Sequence, residues 1–287
     1  MSQPQVVLGI DIGGTRTKVG LVTVGGRVVS SASFDTGSKK SFEAFLILLE
    51  SKVKNVQSQV ADKYKLVAIG IGAPNANFQT GNMEHPPNFR WGTNVPITDA
   101  VRKLFNLPIT IANDANAAAI GEQTFGIGKN MKHFVLLTLG TGLGSGIIAN
   151  SNLLVGEHGM AGEIGHVNVN PQGRMCNCGL QGCLETYASV TGIKRTVFKL
   201  ISEMRDDSVL RSISFDDMTG EMIADAALKG DSIALQAFDY TGEILGRKMA
   251  DTVAHLDPEA IILGGGLTKA GDILLKPTRI SLSLIHI

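Results

Sequence analysis

The chain has 287 residues, 44% hydrophobic and 18% charged, with 26 basic residues against 26 acidic ones. That length supports one large domain or two lobes with their own cores. A formal net charge of zero gives no basic field for nucleic acid and no polybasic segment for a membrane surface.

The N-terminal stretch MSQPQVVLGID has no basic segment followed by an apolar one, so no secretory signal is read there. The uncharged run at 134–156 is broken by glycines, which suits a strand pair and not a membrane helix. A cytoplasmic, reducing compartment is the expectation.

Residues 6–10 form a β-branched, apolar strand that enters Asp11-Ile12-Gly13-Gly14-Thr15 and leaves through a second strand at 18–22. A strand, a glycine turn and a strand make a hairpin. A Walker A loop or Rossmann turn must instead open a helix, so those nucleotide folds are disfavoured. Residues 41–59 read as an amphipathic helix with Phe42, Phe45, Leu46, Leu49 and Val53 on one face. A strand follows at 66–71, then a loop-rich stretch at 74–96, a strand at 108–112, and Asn113-Asp114 opening an alanine-rich helix. FVLLTLGTGLGSGIIA, from Phe134, repeats the strand, glycine turn, strand idea, which predicts two related lobes, 1–112 and 113–287, with a cleft between them. The remainder is mostly helical, down to a strand at 260–263 and the turn Gly264-Gly265-Gly266. The tail KPTRISLSLIHI reads as having no helix.

All three cysteines lie within eight residues of one another, at Cys176, Cys178 and Cys183, a short way after His166. One imidazole and three thiolates form a tetrahedral zinc set with no open position, so the metal is expected to be structural. Such a metal fixes Glu163 and Glu185 relative to each other. It also fixes the His166 tautomer, leaving the second ring nitrogen as a donor. Two acceptors and a donor at set positions suit a polyhydroxylated ligand, a sugar.

Asp114, at a strand end and a helix start, is the candidate catalytic base; the positive helix end favours its ionised form. Asn113 reads equally well as a helix cap or a ligand. Phosphate groups need closely presented backbone N–H groups, and Gly13-Gly14-Thr15, Gly140-Thr141-Gly142 and the Gly265 turn provide them. Asp11 is placed to organise magnesium through water, and Lys18 to approach a phosphate.

The segments LGIDIGGTRTKVGLV (8–22), IANDANAAAIGE (111–122), LTLGTGLGSGII (137–148), GMAGEIGH (159–166) and CNCGLQGCLETYAS (176–189) together resemble the ROK family of bacterial sugar kinases and repressors. The resemblance implies an α/β, two-lobed actin-like ATPase (ribonuclease H-like) fold and ATP-dependent phosphorylation of a hexose at its 6-hydroxyl. Glucose is the first candidate acceptor, with another hexose or an N-acetylhexosamine as alternatives. Asp114 matches the family's base, and Asn113, Glu163, His166 and Glu185 its sugar ligands. His166, Cys176, Cys178 and Cys183 match its zinc ligands, and 11–15 and 138–142, including Thr138, its phosphate segments. The family often forms dimers, so a homodimer is expected. Ala73-Pro74-Asn75-Ala76-Asn77 departs from the family's Ala-Pro-Gly-Pro, whereas PNFRW at 87–91 resembles its sugar-side loop. The family's repressors carry an N-terminal helix-turn-helix, for which a first strand at Val6 leaves no room. Its terminal helix, which returns to the first lobe, is expected to be missing here.

Overall fold

The computed structural model describes residues 3–37, 40–87 and 89–283. They divide into two compact units: one runs to Ile127 and includes Val155–Ala161, and the other comprises Gly128–Leu154 and the chain from Gly162 onward.

The first unit is built on a five-stranded sheet of order β3-β2-β1-β4-β8. Strands β1 (Gln5–Ile12), β2 (Arg16–Thr23) and β3 (Val28–Asp35) form an antiparallel meander, while β4 (Lys65–Ala73) and β8 (Ile109–Asn113) extend it in parallel from β1. Alternation along β1 buries Val6, Leu8, Ile10 and Ile12 and leaves Asp11 on the open face. Helix α1 (Phe42–Ser58) starts where the Ser41 side chain accepts the Ala44 N–H, and it buries Phe45, Leu49, Val53 and Val56 against that sheet's core. The stretch expected to be irregular contains a small antiparallel sheet of β5 (Ala76–Asn77), β6 (Asn82–Glu84) and β7 (Asn94–Val95), followed by α2 (Ile97–Phe105).

Helix α3 (Asp114–Phe125) follows β8 without a break and packs back on β4: a β-carbon added at Gly72 would lie 3.4 Å from that of Ala117. The first unit therefore extends past the expected division at 112/113. It also recovers Val155–Ala161, whose backbone is held by Gln79 Nε2 to the Glu157 carbonyl at 2.8 Å and by Asn77 Nδ2 to the His158 carbonyl at 3.5 Å.

The second unit's sheet has the order β11-β10-β9-β12, from β9 (Phe134–Leu139), β10 (Leu143–Ala149), β11 (Asn152–Leu153) and β12 (Ala260–Gly264). An antiparallel hairpin with a parallel strand beside its first member occurs in both units, as β1-β2 with β4 and as β9-β10 with β12. That is the repeat the two glycine-turn segments suggested. Helices α4 (Val190–Glu203), α5 (Gly220–Leu228) and α6 (Ser232–Leu256) supply the rest of the core, with Ile193, Val197, Ile223, Phe238 and Leu245 fully buried.

The tail differs from expectation. Asp272–Leu282 form a further helix, α7, with Pro277 inside it. It lies so close to α6 that β-carbons added at Gly242 or Gly246 would strike it, the first 2.6 Å from Pro277 Cγ and the second 2.8 Å from Ser281 Cβ. Two glycines one turn apart let the backbones approach, and this contact compensates for the hydrogen bond a proline removes. Residues 284–287 of the tail and Asn88 of the PNFRW segment lie outside the described residues. Among the described residues no helix is long and apolar enough to cross a membrane.

Candidate active site and metal-ligand cluster

In the first unit the carboxyl ends of β1, β4 and β8 lie level: Asp11 is the register partner of Gly72, and Gly72 of Ala112. Asn113 and Asp114 come directly after, so sheet register brings Asp11 and Asp114 to one edge. Ligands of parallel α/β sheets bind at such edges. Asn113 Oδ1 accepts the Ala115 N–H at 2.9 Å and Asp114 Oδ1 accepts it at 2.8 Å. Asn113 thus caps α3, while Asp114 Oδ2 takes no part in that bond. Burial pushes the Asp114 carboxyl above its ordinary value; the Ala115 N–H opposes this, and the Asp11 charge adds to it. The expected lowering by the helix end is outweighed by desolvation. Because Asp114 stays reachable by solvent, the displacement is moderated.

Lys18 faces Asp11 across the hairpin, with Nζ 3.8 Å from the carboxylate. The turn between them is oriented by Thr36, whose Oγ1 donates to the Gly13 carbonyl at 2.7 Å and whose N–H donates to the Thr15 carbonyl at 2.9 Å. In a trans peptide the N–H points opposite to the carbonyl of the preceding residue, and no peptide here is cis. The Gly14 N–H is therefore directed away from Thr36.

The second unit repeats the device. Val190 N–H donates to the Gly140 carbonyl at 2.9 Å, and Thr191 Oγ1 donates to that of Thr141 at 2.8 Å. The same geometry turns the Thr141 and Gly142 N–H groups away from α4. Thr138 is the register partner of Gly264 on β12, and Gly265, at φ 93°, lies within 2.7 Å of the Leu139 backbone by the measure of an added β-carbon. The Thr138–Gly142 segment and the Gly265 turn are thereby brought together. Glu185 stands beside them: its Oε2 accepts the Leu143 N–H at 3.0 Å, and a β-carbon at Gly142 would strike that oxygen.

The four expected metal ligands also converge. One donor atom from each of His166, Cys176, Cys178 and Cys183 lies within 4.8 Å of all the others. The Cys178 and Cys183 sulfurs are 3.7 Å apart, and Cys176 Sγ is 3.8 Å from His166 Nδ1. Zinc–sulfur bonds of about 2.3 Å at tetrahedral angles put sulfurs roughly 3.8 Å apart, so this donor set fits zinc. With Nδ1 on the cluster side, Nε2 of His166 is left for a ligand. Burial, followed by hydrogen bonding from the neighbouring thiols, pushes the metal-free Cys183 thiol up to about 12. Glu185 reaches this cluster too, with Oε1 3.8 Å from Cys176 Sγ. Glu163 precedes the short turn Ile164–His166, whose end is closed by the His166 N–H on the Glu163 carbonyl at 3.0 Å.

Two residues that sequence reasoning did not single out hold these pieces in place. Buried Ser145 on β10 donates to the Gly162 carbonyl and accepts the Ile164 N–H at 3.0 Å, pinning the segment that carries Glu163 and His166. Arg174 clasps the other end of the metal loop. Ser145 lies within the 137–148 segment but its role there was not read, and Arg174 acts mainly on carbonyls distant in sequence.

A sequence model described as the ROK family matches residues 7–283. The chain belongs to the ROK family. Among its ROK relatives, a glucokinase of Halalkalibacterium halodurans is 38% identical over 279 residues, covering 95% of this chain and 83% of that protein. A ROK glucokinase from Streptomyces griseus, solved with glucose and AMPPNP, is 34% identical with a TM-score of 0.82, covering 96% of this chain and 88% of that one. A ROK transcriptional regulator, homologous to the Escherichia coli MLC protein, is 28% identical with a TM-score of 0.88, covering 99% of this chain and 71% of its own. The ROK fold, an α/β actin-like ATPase fold with mixed sheets, is the one this chain adopts.

Proposed function

We propose that the protein is an ATP-dependent hexose kinase that transfers the γ-phosphoryl group to the 6-hydroxyl of glucose. One observation carries this reading: sheet register brings the Asp114 carboxylate to the strand edge it shares with Asp11. The similarity to glucokinases supports it.

In this reading Asp114 Oδ2 takes the proton of the sugar's 6-hydroxyl. The oxygen then attacks the γ-phosphorus, the bond to the bridging oxygen breaks, and ADP leaves. A loose phosphoryl-transfer transition state asks mainly for positioning and charge neutralisation, so a carboxylate base suffices. The N–H groups of Gly14, Thr141 and Gly142 hold phosphate oxygens, and Lys18 exchanges Asp11 for phosphate. Asp11, an oxygen donor with the Asp114 charge nearby, suits magnesium, which when bound neutralises phosphate charge. His166, Cys176, Cys178 and Cys183 hold zinc, which when bound fixes the loop. Asn113, Glu163, His166 Nε2 and Glu185 Oε1 bind sugar hydroxyls. A homodimer and a cytoplasmic location belong to the same reading.

Coupled assays over a panel of hexoses and N-acetylhexosamines test it. Phosphorylation of glucose with the highest kcat/KM is expected; a different best substrate removes glucose and keeps the class. The likeness to a regulator supports a second reading, sugar sensing without turnover. Glucose binding with no ADP formed from ATP would select it.

A further inference from the structure

We propose that Arg174 is a positioning residue for the sugar end of the site, setting where Glu185 stands. The inference rests on the reading of Glu185 as a sugar ligand. Arg174 sits two residues before Cys176, and its carbonyl accepts the Gly182 N–H at 2.8 Å, one residue before Cys183. Its side chain leaves the metal loop altogether. Nη1 donates to the Thr186 carbonyl at 2.8 Å and the Gly192 carbonyl at 2.9 Å, and Nη2 donates to Thr196 Oγ1 at 3.0 Å. The guanidinium carbon lies 4.5 Å from the centre of the Tyr187 ring, and Tyr187 Oη accepts the Arg174 N–H at 3.1 Å.

These contacts bracket one residue. Thr186 and Tyr187 directly follow Glu185, and Gly192 and Thr196 belong to α4, whose first residues hold the carbonyls of Gly140 and Thr141. One guanidinium thus fixes the Leu184–Thr186 turn onto the helix that orients the Gly140–Gly142 turn. A partly buried charge needs compensation. Here the acceptors are two carbonyls and a hydroxyl in place of a carboxylate, so the arrangement is directional and no simple ion pair. A planar fork can reach all three acceptors while stacking on a ring, and a lysine ammonium cannot. The metal ligands keep their own geometry, so loss of Arg174 releases Glu185 without dismantling the cluster.

The test compares Arg174→Met, Glu185→Gln and the double variant, each with zinc content by metal analysis and separate KM values for glucose and ATP. Arg174→Met is expected to keep one zinc, to raise the glucose KM on the order of tenfold, and to change kcat and the ATP KM less than about threefold. In the double variant Arg174→Met is expected to add almost nothing to Glu185→Gln, because it acts only through that carboxylate. Additive effects, or loss of zinc together with sugar affinity, would make Arg174 a general anchor and overturn the proposal. So would a normal glucose KM in Arg174→Met beside an impaired Glu185→Gln. A normal glucose KM in Glu185→Gln overturns the reading of Glu185 itself, and this inference with it. Should Arg174→Met not fold, Thr196→Val, which removes one acceptor at nearly constant shape, is expected to raise the glucose KM about threefold; no change there also overturns the proposal.

Discussion

Glu185 Oε2 accepts the Leu143 N–H at 3.0 Å, while its Oε1 lies 3.8 Å from Cys176 Sγ. One carboxylate thus touches both the glycine turn read as phosphate-binding and the metal cluster. Only a residue without a β-carbon fits at Gly142, because an added one would meet that oxygen.

Gly142→Ala is therefore expected to displace the Glu185 carboxylate and free the Leu143 N–H. Losing a hydrogen bond to a charged group costs about 1.5–3 kcal/mol, on the order of ten- to a hundredfold in kcat/KM. Steady-state kinetics with each substrate varied should show the glucose KM rising through Glu185 and the ATP KM rising through the methyl added to the Gly140–Gly142 turn itself. A change confined to ATP would separate Glu185 from the sugar.

Asp114→Asn is expected to lower kcat by about 10²–10⁴. The wild-type acid limb of kcat should fall at a higher pH than an ordinary aspartate gives, since the Asp114 pKa is raised. Linkage gives a second sign. Between the ordinary value of 3.8 and the raised value, the folded chain keeps a proton that the unfolded chain has released, so stability falls as pH rises through that window. The Asn variant should then melt slightly higher than the parent at pH 7, with the gap shrinking as pH approaches 3.8. A lower melting temperature at pH 7 would contradict the desolvated carboxylate.

Metal analysis is expected to find one zinc per chain, and Cys178→Ala to lose zinc and glucose affinity together. Zinc needs thiolates, and metal-free Cys183 is pushed up to about 12, so each zinc bound must release protons. Zinc affinity should weaken steeply as pH is lowered. Zinc-free protein with full glucose affinity would show that the loop needs no metal.

Gly246→Val should drive α6 off α7 and cost about 1–3 kcal/mol, a fall of several degrees in melting temperature. Gly121→Ala has the opposite sign. It lies in α3 with nothing within 4 Å of an added β-carbon, so it should stabilise by about 0.5–1 kcal/mol. Calorimetry on the pair checks both.

What was legible in the sequence was local or periodic. A β-branched apolar run and a glycine turn marked β1 and β2, the cysteine spacing marked the cluster, and Asn113-Asp114 marked the strand-to-helix junction. Helix α7 was hidden because Pro277 reads as a stop, while the groove that receives it is made by Gly242 and Gly246 far upstream. Strands β5 and β7 are two residues long and have no period to detect. The direction of the Asp114 shift was also out of reach, because a helix end is visible in sequence and desolvation by neighbours is not. The roles of Ser145, although it lies in the 137–148 segment, and of Arg174 escaped notice since backbone partners far along the chain leave no residue-type signature.

The return of Val155–Ala161 to the first unit has a practical consequence for anyone dissecting this molecule. The polypeptide passes from one body to the other at 127/128, at 154/155 and again at 161/162. A single cut at 127/128 therefore leaves Val155–Ala161, a piece of the first unit, covalently on the fragment that carries the second. Expressing either body alone requires grafting or deleting a seven-residue insert, since no one-point truncation isolates it.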